Sequence, residues 1–140
     1  MSGLLAIFIG DSGQQLAGIL LLSIVAVEWG GVFLYRVVGG RVGATGFQRA
    51  FFRAGHAHAG VLLVLALVAN LYAEASDAEG LVEWIARSGI PLAAILMPAG
   101  FFLSASGRDR TEPNRLVVLL WLGAASLTAG VIALGVSLLV

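Results

Sequence analysis

The stretch AGHAHAGVLLVLALVANLYA, residues 54–73, decides the fold class of this chain. It carries no Asp, Glu, Lys or Arg, and its length matches the roughly 20 residues that a helix needs to cross a bilayer. Two histidines, His56 and His58, open the stretch between Gly55 and Gly60. The pattern therefore predicts a transmembrane helix with two ionisable groups near one end.

Three further stretches, residues 14–38, 90–106 and 116–140, are apolar over similar lengths. The whole chain is 59% apolar and 11% charged with a mean hydropathy of +0.99, which is outside the range of ordinary soluble domains. The apolar runs are continuous instead of alternating, which favours helices over a barrel. We expect an all-α polytopic membrane protein, a single domain over residues 1–140 that forms a bundle of four transmembrane helices.

Local signals add detail at the ends of these spans. Thr45 and Gln48 form a capping box pattern, which predicts that the second helix begins well before the bilayer. Ser76 and Glu79 form the same pattern, and apolar residues after them predict a short outer interfacial helix over about residues 77–87. The apolar residues Leu4–Ile9 are predicted to be an interfacial lead-in to the first span.

The positions of the arginines predict the orientation of the bundle. Seven of them fall in the first and third connections, where the positive-inside rule places the cytoplasm: Arg36, Arg41, Arg49, Arg53, Arg108, Arg110 and Arg115. The second connection is acidic, so both termini are predicted to lie outside. Lysine is absent and Ala, Gly and Val abound, which suggests GC-rich coding and a bacterial cell membrane.

Composition also excludes several classes of partner and cofactor. The chain has no cysteine, which excludes disulfides, thiolate metal sites and iron–sulfur clusters. Its net charge is zero and no basic stripe exists that could neutralise a phosphate backbone, so nucleic acid is not an expected partner. Membrane lipid is.

The candidate site joins the first two spans. Ionisable groups at membrane depth are costly and usually mark function, and Glu28 lies about 12 Å from the inner interface by helical rise. His58 lies about 7.5 Å deep and His56 about 4.5 Å, so depth favours His58 as the partner of Glu28. The two histidines point about 200° apart on a helix. The His56 side is small and polar and predicted to face inward, whereas the His58 side is bulkier and predicted to face lipid or a neighbouring subunit.

Four residues are predicted to support this site. Gly31 and Tyr35 share the side of Glu28 on the first helix, and Gly60 and Asn70 share the side of His56 on the second. Glycines allow a neighbouring helix to approach closely. Asn70 and Tyr35 can equally serve as a simple hydrogen-bonding residue and an interface aromatic.

Two interpretations of Glu28 stay open. In one, a protonated carboxyl hydrogen-bonds to a histidine or asparagine and only holds helices together. In the other, Glu28 with His56 or His58 forms a working site that exchanges a proton or binds a divalent transition metal. Haem is a lesser alternative, with one axial histidine from each of two subunits.

The last span carries small residues at alternating steps of three and four, which places them on one face as a packing seam. The seam consists of Gly123, Ser126, Gly130, Ala133 and Ser137. It can serve packing within the chain or between copies, and four thin helices enclose little volume. The sequence therefore favours a homo-oligomer or a larger membrane complex.

Three segments carry a resemblance to known proteins: VEWGG at residues 27–31, FFRAGHAHAG at 51–60 and SGRDRTEPNR at 106–115. With these segments the chain resembles small uncharacterised four-helix membrane proteins of GC-rich bacteria over most of its length. In size, helix count and a histidine at the head of the second span it is also similar in architecture to hydroxylaminobenzene mutases, which are membrane-bound isomerases.

Three functional hypotheses follow from the sequence. The first is a membrane protein whose Glu28 and His56 or His58 bind a proton or a divalent metal as part of a transport path. The second is an isomerase or mutase that acts on a small hydrophobic substrate, with histidine as general acid and base. The third is a non-catalytic subunit of a larger membrane complex.

Overall fold

The computed structural model describes residues 11–140, and every regular element among them is helical. α1 is Asp11–Val38, α2 is Gly46–Glu74 and α3 is Gly80–Ser104. A single 3₁₀ turn, Arg115–Val117, leads into α4, Val118–Ser137. The lead-in predicted over residues 4–9 lies outside the described residues.

The four helices are each long and apolar enough to span a membrane, as the sequence predicted. α2 begins eight residues before the predicted span because its first turn is closed by Thr45 and Gln48. The Thr45 hydroxyl accepts a hydrogen bond from the Gln48 amide at 3.1 Å, and the Gln48 side chain accepts one from the Thr45 amide at 3.0 Å. This capping box is therefore confirmed.

The second predicted capping box is wrong. Glu79 precedes the first residue of α3 but its side chain makes no capping hydrogen bond, and the Ser76 hydroxyl instead donates to the Ala73 carbonyl at 3.0 Å. The Ser76 hydroxyl thus pairs with a carbonyl at the end of α2 and does not cap the start of α3. A side chain that can bond to a preceding carbonyl competes with the capping geometry.

The predicted surface helix at 77–87 and span at 90–106 are one continuous helix, α3. The sequence predicts two elements, a surface helix to residue 87 and a span from residue 90, and this division is wrong. In the structure the Arg87 guanidinium is ion-paired with Glu74 at the end of α2 and with Glu83, one turn earlier in α3, at 2.9 Å. These ion pairs compensate a charge that would otherwise be costly near the membrane.

The helices pack in the order of the chain. α1 packs on α2, α2 on α3, and α3 most extensively on α4, so α1 and α4 occupy the edges of the assembly. Because only one side of α1 meets a neighbour, most of its large apolar side chains are exposed. A cleft is left between α1 and α3, above the face of α2 on which both of them pack.

The small residues of α4 let α3 and α4 approach to backbone contact. An added Cβ at Gly130 would come within 3.0 Å of the Cα of Gly89, and one at Gly123 within 2.5 Å of Met97. The Ser126 hydroxyl donates to the Gly89 carbonyl at 2.8 Å. The predicted seam therefore packs inside one chain, against α3.

Both arginine-bearing connections lie at the same end of the bundle. The Gln48 amide group donates to the carbonyls of Ala105 at 2.9 Å and Gly107 at 2.8 Å, and the Thr45 hydroxyl donates to the Arg110 carbonyl. Gln48 is buried, so its hydrogen bond to the Ala105 carbonyl is shielded from water. The start of α2 thus fixes the loop that follows α3.

Replacing Gln48 by alanine is expected to lower the free energy of unfolding by about 2 kcal/mol, because the buried carbonyl of Ala105 and the partly shielded groups of Thr45 and Gly107 lose their partners. Unfolding in mixed detergent micelles, followed by circular dichroism, measures this. Gln15→Ala is the matched control, since Gln15 is exposed on α1. Equal stabilities of the two variants would show that Gln48 does not hold the loop.

Candidate functional site in the first two helices

His56 and His58 contact different neighbours, as their 200° separation requires. His56 lies against α1 and His58 against α3. Depth alone had favoured His58 as the histidine that meets the first helix, but the direction in which each side chain leaves α2 decides the contact. The predicted inward face of His56 agrees with the structure, whereas the predicted lipid-facing position of His58 is wrong.

The imidazole of His56 rests on a surface made by two glycines of α1. A Cβ added at Gly30 would lie 3.4 Å from Nδ1, and one at Gly31 would lie 3.4 Å from Cε1 and 3.5 Å from Nε2. A methyl group at either position would therefore touch the ring at van der Waals distance. The ring is half-buried, and neither nitrogen forms a hydrogen bond within residues 11–140.

His58 is committed to its own surroundings. Its Nδ1 donates to the Ala54 carbonyl at 2.8 Å, which assigns the proton to that nitrogen, and its ring centroid lies 4.9 Å from that of Phe101. Gly55 makes this contact with α3 feasible, since a Cβ there would come within 2.9 Å of Phe101 and Phe102. His58 thus packs in an aromatic layer and has one ring nitrogen left free.

Glu28 is exposed on the flank of α1, and no hydrogen bond or ion pair joins it to either histidine in the part of the chain that the structure describes. It lies near the middle of the Ser12–Val38 span. Glu28 and Gly31 are three residues apart, so their Cβ positions are about 5–6 Å apart on one side of the helix. Nε2 of His56 lies 3.5 Å from the Cβ position of Gly31, so the ring and Glu28 are about one helical turn apart along α1.

One of the four predicted supporting residues lies at His56 and the other three lie elsewhere. Gly31 forms part of the surface under the His56 ring. Tyr35 is 69% exposed, and Gly60 has open space around its Cβ position. Asn70 is buried at the opposite end of the bundle, where its side-chain amide donates to the Gly13 carbonyl at 2.9 Å. Of the four, only Gly31 contacts either histidine.

The described residues contain no group of three His, Asp or Glu side chains that could hold a metal ion. Glu28, His56 and His58 do not converge within one chain, because the two histidines leave α2 in different directions. A divalent metal at these residues would require donors from a second chain.

Sequence reasoning missed the ion-paired cluster of Glu74, Glu83 and Arg87. The spacing of Glu83 and Arg87 by four residues on a helix is a recognisable signal for an ion pair. The contribution of Glu74 could not be read from sequence, because it depends on how the end of α2 meets α3.

No protein-family model, curated protein or solved structure matches this chain significantly. The interpretation of the site therefore depends on its own geometry.

Proposed function

We propose that the chain is a multi-pass protein of the bacterial cell membrane, with the arginine-bearing end in the cytoplasm and both termini outside. The four apolar helices and the clustering of seven arginines at one end support this orientation. Arg87 at the other end is consistent with this orientation, because its positive charge is compensated by the carboxylates of Glu74 and Glu83.

Within this membrane protein we propose an intramembrane proton site formed by Glu28 and His56, which is part of a proton-transport path. One observation carries the proposal: the His56 ring, with both nitrogens free of hydrogen bonds in the described chain, rests one helical turn from the only acidic group in the middle of α1. Imidazole accepts a proton on one nitrogen and can release one from the other near neutral pH.

In this proposal, rotation of the Glu28 side chain carries the proton to His56. In one position the carboxyl lies on the exposed flank of α1, and in the other its oxygen meets Nε2 of His56. The protonated carboxyl approaches the ring and gives its proton to Nε2, and the resulting imidazolium releases the proton on Nδ1. The carboxylate then turns back to the exposed flank and takes up a new proton there, which resets the pair. Gly30 and Gly31 let the ring lie directly on α1, on the side that the approaching carboxyl has to reach.

A second copy of the chain is the proposed cover for Glu28. An acidic side chain at the centre of a span costs roughly 2.5–3.5 kcal/mol on insertion scales when it has no partner. Glu28 belongs to a row of exposed positions on α1 that alternate in steps of four and three, the spacing by which helices pair along one seam. The row is Gln14, Gly18, Leu21, Val25, Glu28, Val32 and Tyr35.

Proton flux tests the proposed function. Purified chain is reconstituted in lipid vesicles that contain a pH-sensitive dye, with valinomycin and potassium to balance charge. Proton entry after an acid jump is expected to exceed that of empty vesicles, and Glu28→Gln and His56→Gln are expected to return it to the empty-vesicle rate. Each variant keeps the size of the side chain but cannot exchange a proton.

His58→Gln is the matched control, since the same substitution two residues away alters a histidine that packs against Phe101. It is expected to keep most of the flux. A wild-type rate in Glu28→Gln, or a rate in the wild-type chain equal to that of empty vesicles, would contradict the proposal.

A further inference from the structure

A cavity of about 640 Å³ opens at the end of the bundle away from the seven arginines of the first and third connections. It lies where the start of α1 and the end of α2 meet the first half of α3, and most of its wall is apolar. Leu16, Trp84, Pro91 and Ile95 form part of this wall, together with Asn70. Cavities of roughly 300–1,000 Å³ are the usual size for sites that hold small organic molecules.

Asn70 gives this cavity a hydrogen-bond acceptor. Its side chain is 3% exposed, and its Nδ2 is fixed by the hydrogen bond to the Gly13 carbonyl. Its Oδ1 is buried and has no hydrogen-bond partner among the described residues. Buried polar atoms are nearly always paired, so this unpaired carbonyl oxygen beside the cavity points to a donor supplied by a bound molecule.

The charged residues near the cavity do not favour an ionic ligand. Arg87 lines the cavity, but its guanidinium is engaged by the carboxylates of Glu74 and Glu83. An anionic molecule would have to compete with two carboxylates for it. A cationic molecule would meet the guanidinium and an apolar wall that desolvates its charge.

We propose that this cavity binds a neutral, mainly apolar molecule with one hydroxyl group, which donates a hydrogen bond to Oδ1 of Asn70. The apolar part of the molecule packs against Trp84, Pro91 and Ile95. The cleft between α1 and α3 continues from this cavity along shared walls at Leu16, Pro91 and Ile95, so such a molecule enters from the lipid.

This site is separate from the proposed proton site. Asn70 lies 14 residues beyond His56 on α2, about 21 Å along the helix axis. Loss of proton flux in Glu28→Gln should therefore leave ligand binding unchanged, and the two proposals can fail independently.

A pair of matched probes tests the proposal. Equilibrium dialysis of 1-naphthol and of 1-methoxynaphthalene against the full chain in lipid nanodiscs, corrected by empty nanodiscs, compares a molecule that has a donor with one that lacks it. Saturable binding is expected for both, with 1-naphthol about three- to tenfold tighter, as one net hydrogen bond gives. Equal affinities, or no saturable binding of either probe, would overturn the proposal.

Asn70→Leu removes the acceptor and is expected to abolish the difference between the probes while it keeps the binding of 1-methoxynaphthalene. Gln15→Leu, on the exposed surface of α1, is the matched control and is expected to keep the difference. A preference for 1-naphthol that persists in Asn70→Leu would overturn the assignment to Oδ1. The wild-type comparison decides the matter even where Asn70→Leu does not fold.

Discussion

Replacing Gly89 by alanine is expected to lower the free energy of unfolding by about 3 kcal/mol, the upper end of what overpacking costs. The new methyl group would lie 2.6 Å from the Cα of Gly130 and 2.9 Å from the Ser126 carbonyl oxygen. Neither atom belongs to a flexible side chain, so α3 and α4 must separate. Separation also breaks the hydrogen bond from the Ser126 hydroxyl to the Gly89 carbonyl.

Gly135→Ala provides the control for this prediction. Gly135 lies in the same helical hairpin but has no atom within 4 Å of its Cβ position. Alanine stabilises a helix by up to about 1 kcal/mol relative to glycine, so this variant should be at least as stable as the wild type. Denaturation of both variants in mixed micelles measures the difference. Similar stabilities would mean that α3 and α4 do not meet along these glycines.

Oxidation of a Val25→Cys variant in lipid is expected to convert most of the protein into a disulfide-linked dimer. Val25 lies one turn from Glu28 on the exposed row of α1, where we propose that a second copy covers the carboxyl. A disulfide forms only when the two Cα atoms come within about 4.4–6.8 Å, so it reports direct pairing of the helices. The chain has no native cysteine to complicate the result.

Leu22→Cys is the matched control, because Leu22 is also exposed but lies about 120° around α1 from Glu28. It is expected to stay monomeric under the same oxidation. Val32→Cys, one turn beyond Glu28 on the same row, should behave like Val25→Cys. Cross-linking that is as strong from Leu22 as from Val25 would contradict pairing along the Glu28 row.

Much of the fold could be predicted from the sequence, because apolar length and helix caps are local signals. The four spans and the start of α2 at the Thr45 capping box depend only on residues close together in the chain. The continuous course of α3 could not be predicted. The surface helix and the span read as separate elements in the sequence, and the structure joins them through residues 88–90 without a break. The ion pair between Arg87 and Glu74 could not be predicted either, because these residues are brought together only when α2 packs on α3.

The candidate site shows the same division. Helical geometry correctly separated His56 from His58, since a 200° difference in direction is independent of the neighbours. Which helix each histidine would meet required the packing of α1 and α3 on α2, and Phe101 lies 43 positions after His58 in the chain. The exposure of Glu28 likewise depends on which side of α1 contacts α2, and this side is set by Gly30 and Gly31.

A direct distance measurement between Glu28 and His56 tests the central claim that a carboxyl and an imidazole exchange a proton inside the membrane. Solid-state NMR of the chain in lipid bilayers, with ¹³C in the glutamate carboxyls and ¹⁵N in the histidine rings, detects dipolar coupling between them. The chain has two histidines, so His56→Gln and His58→Gln assign the nitrogens.

The account predicts a coupling between the Glu28 carboxyl carbon and Nε2 of His56 at a distance below about 4.5 Å, as a hydrogen-bonded pair requires. The coupling should vanish in Glu28→Gln and in His56→Gln, and it should persist in His58→Gln. A sample that is active in proton transport but shows no coupling between Glu28 and His56 would contradict the claim.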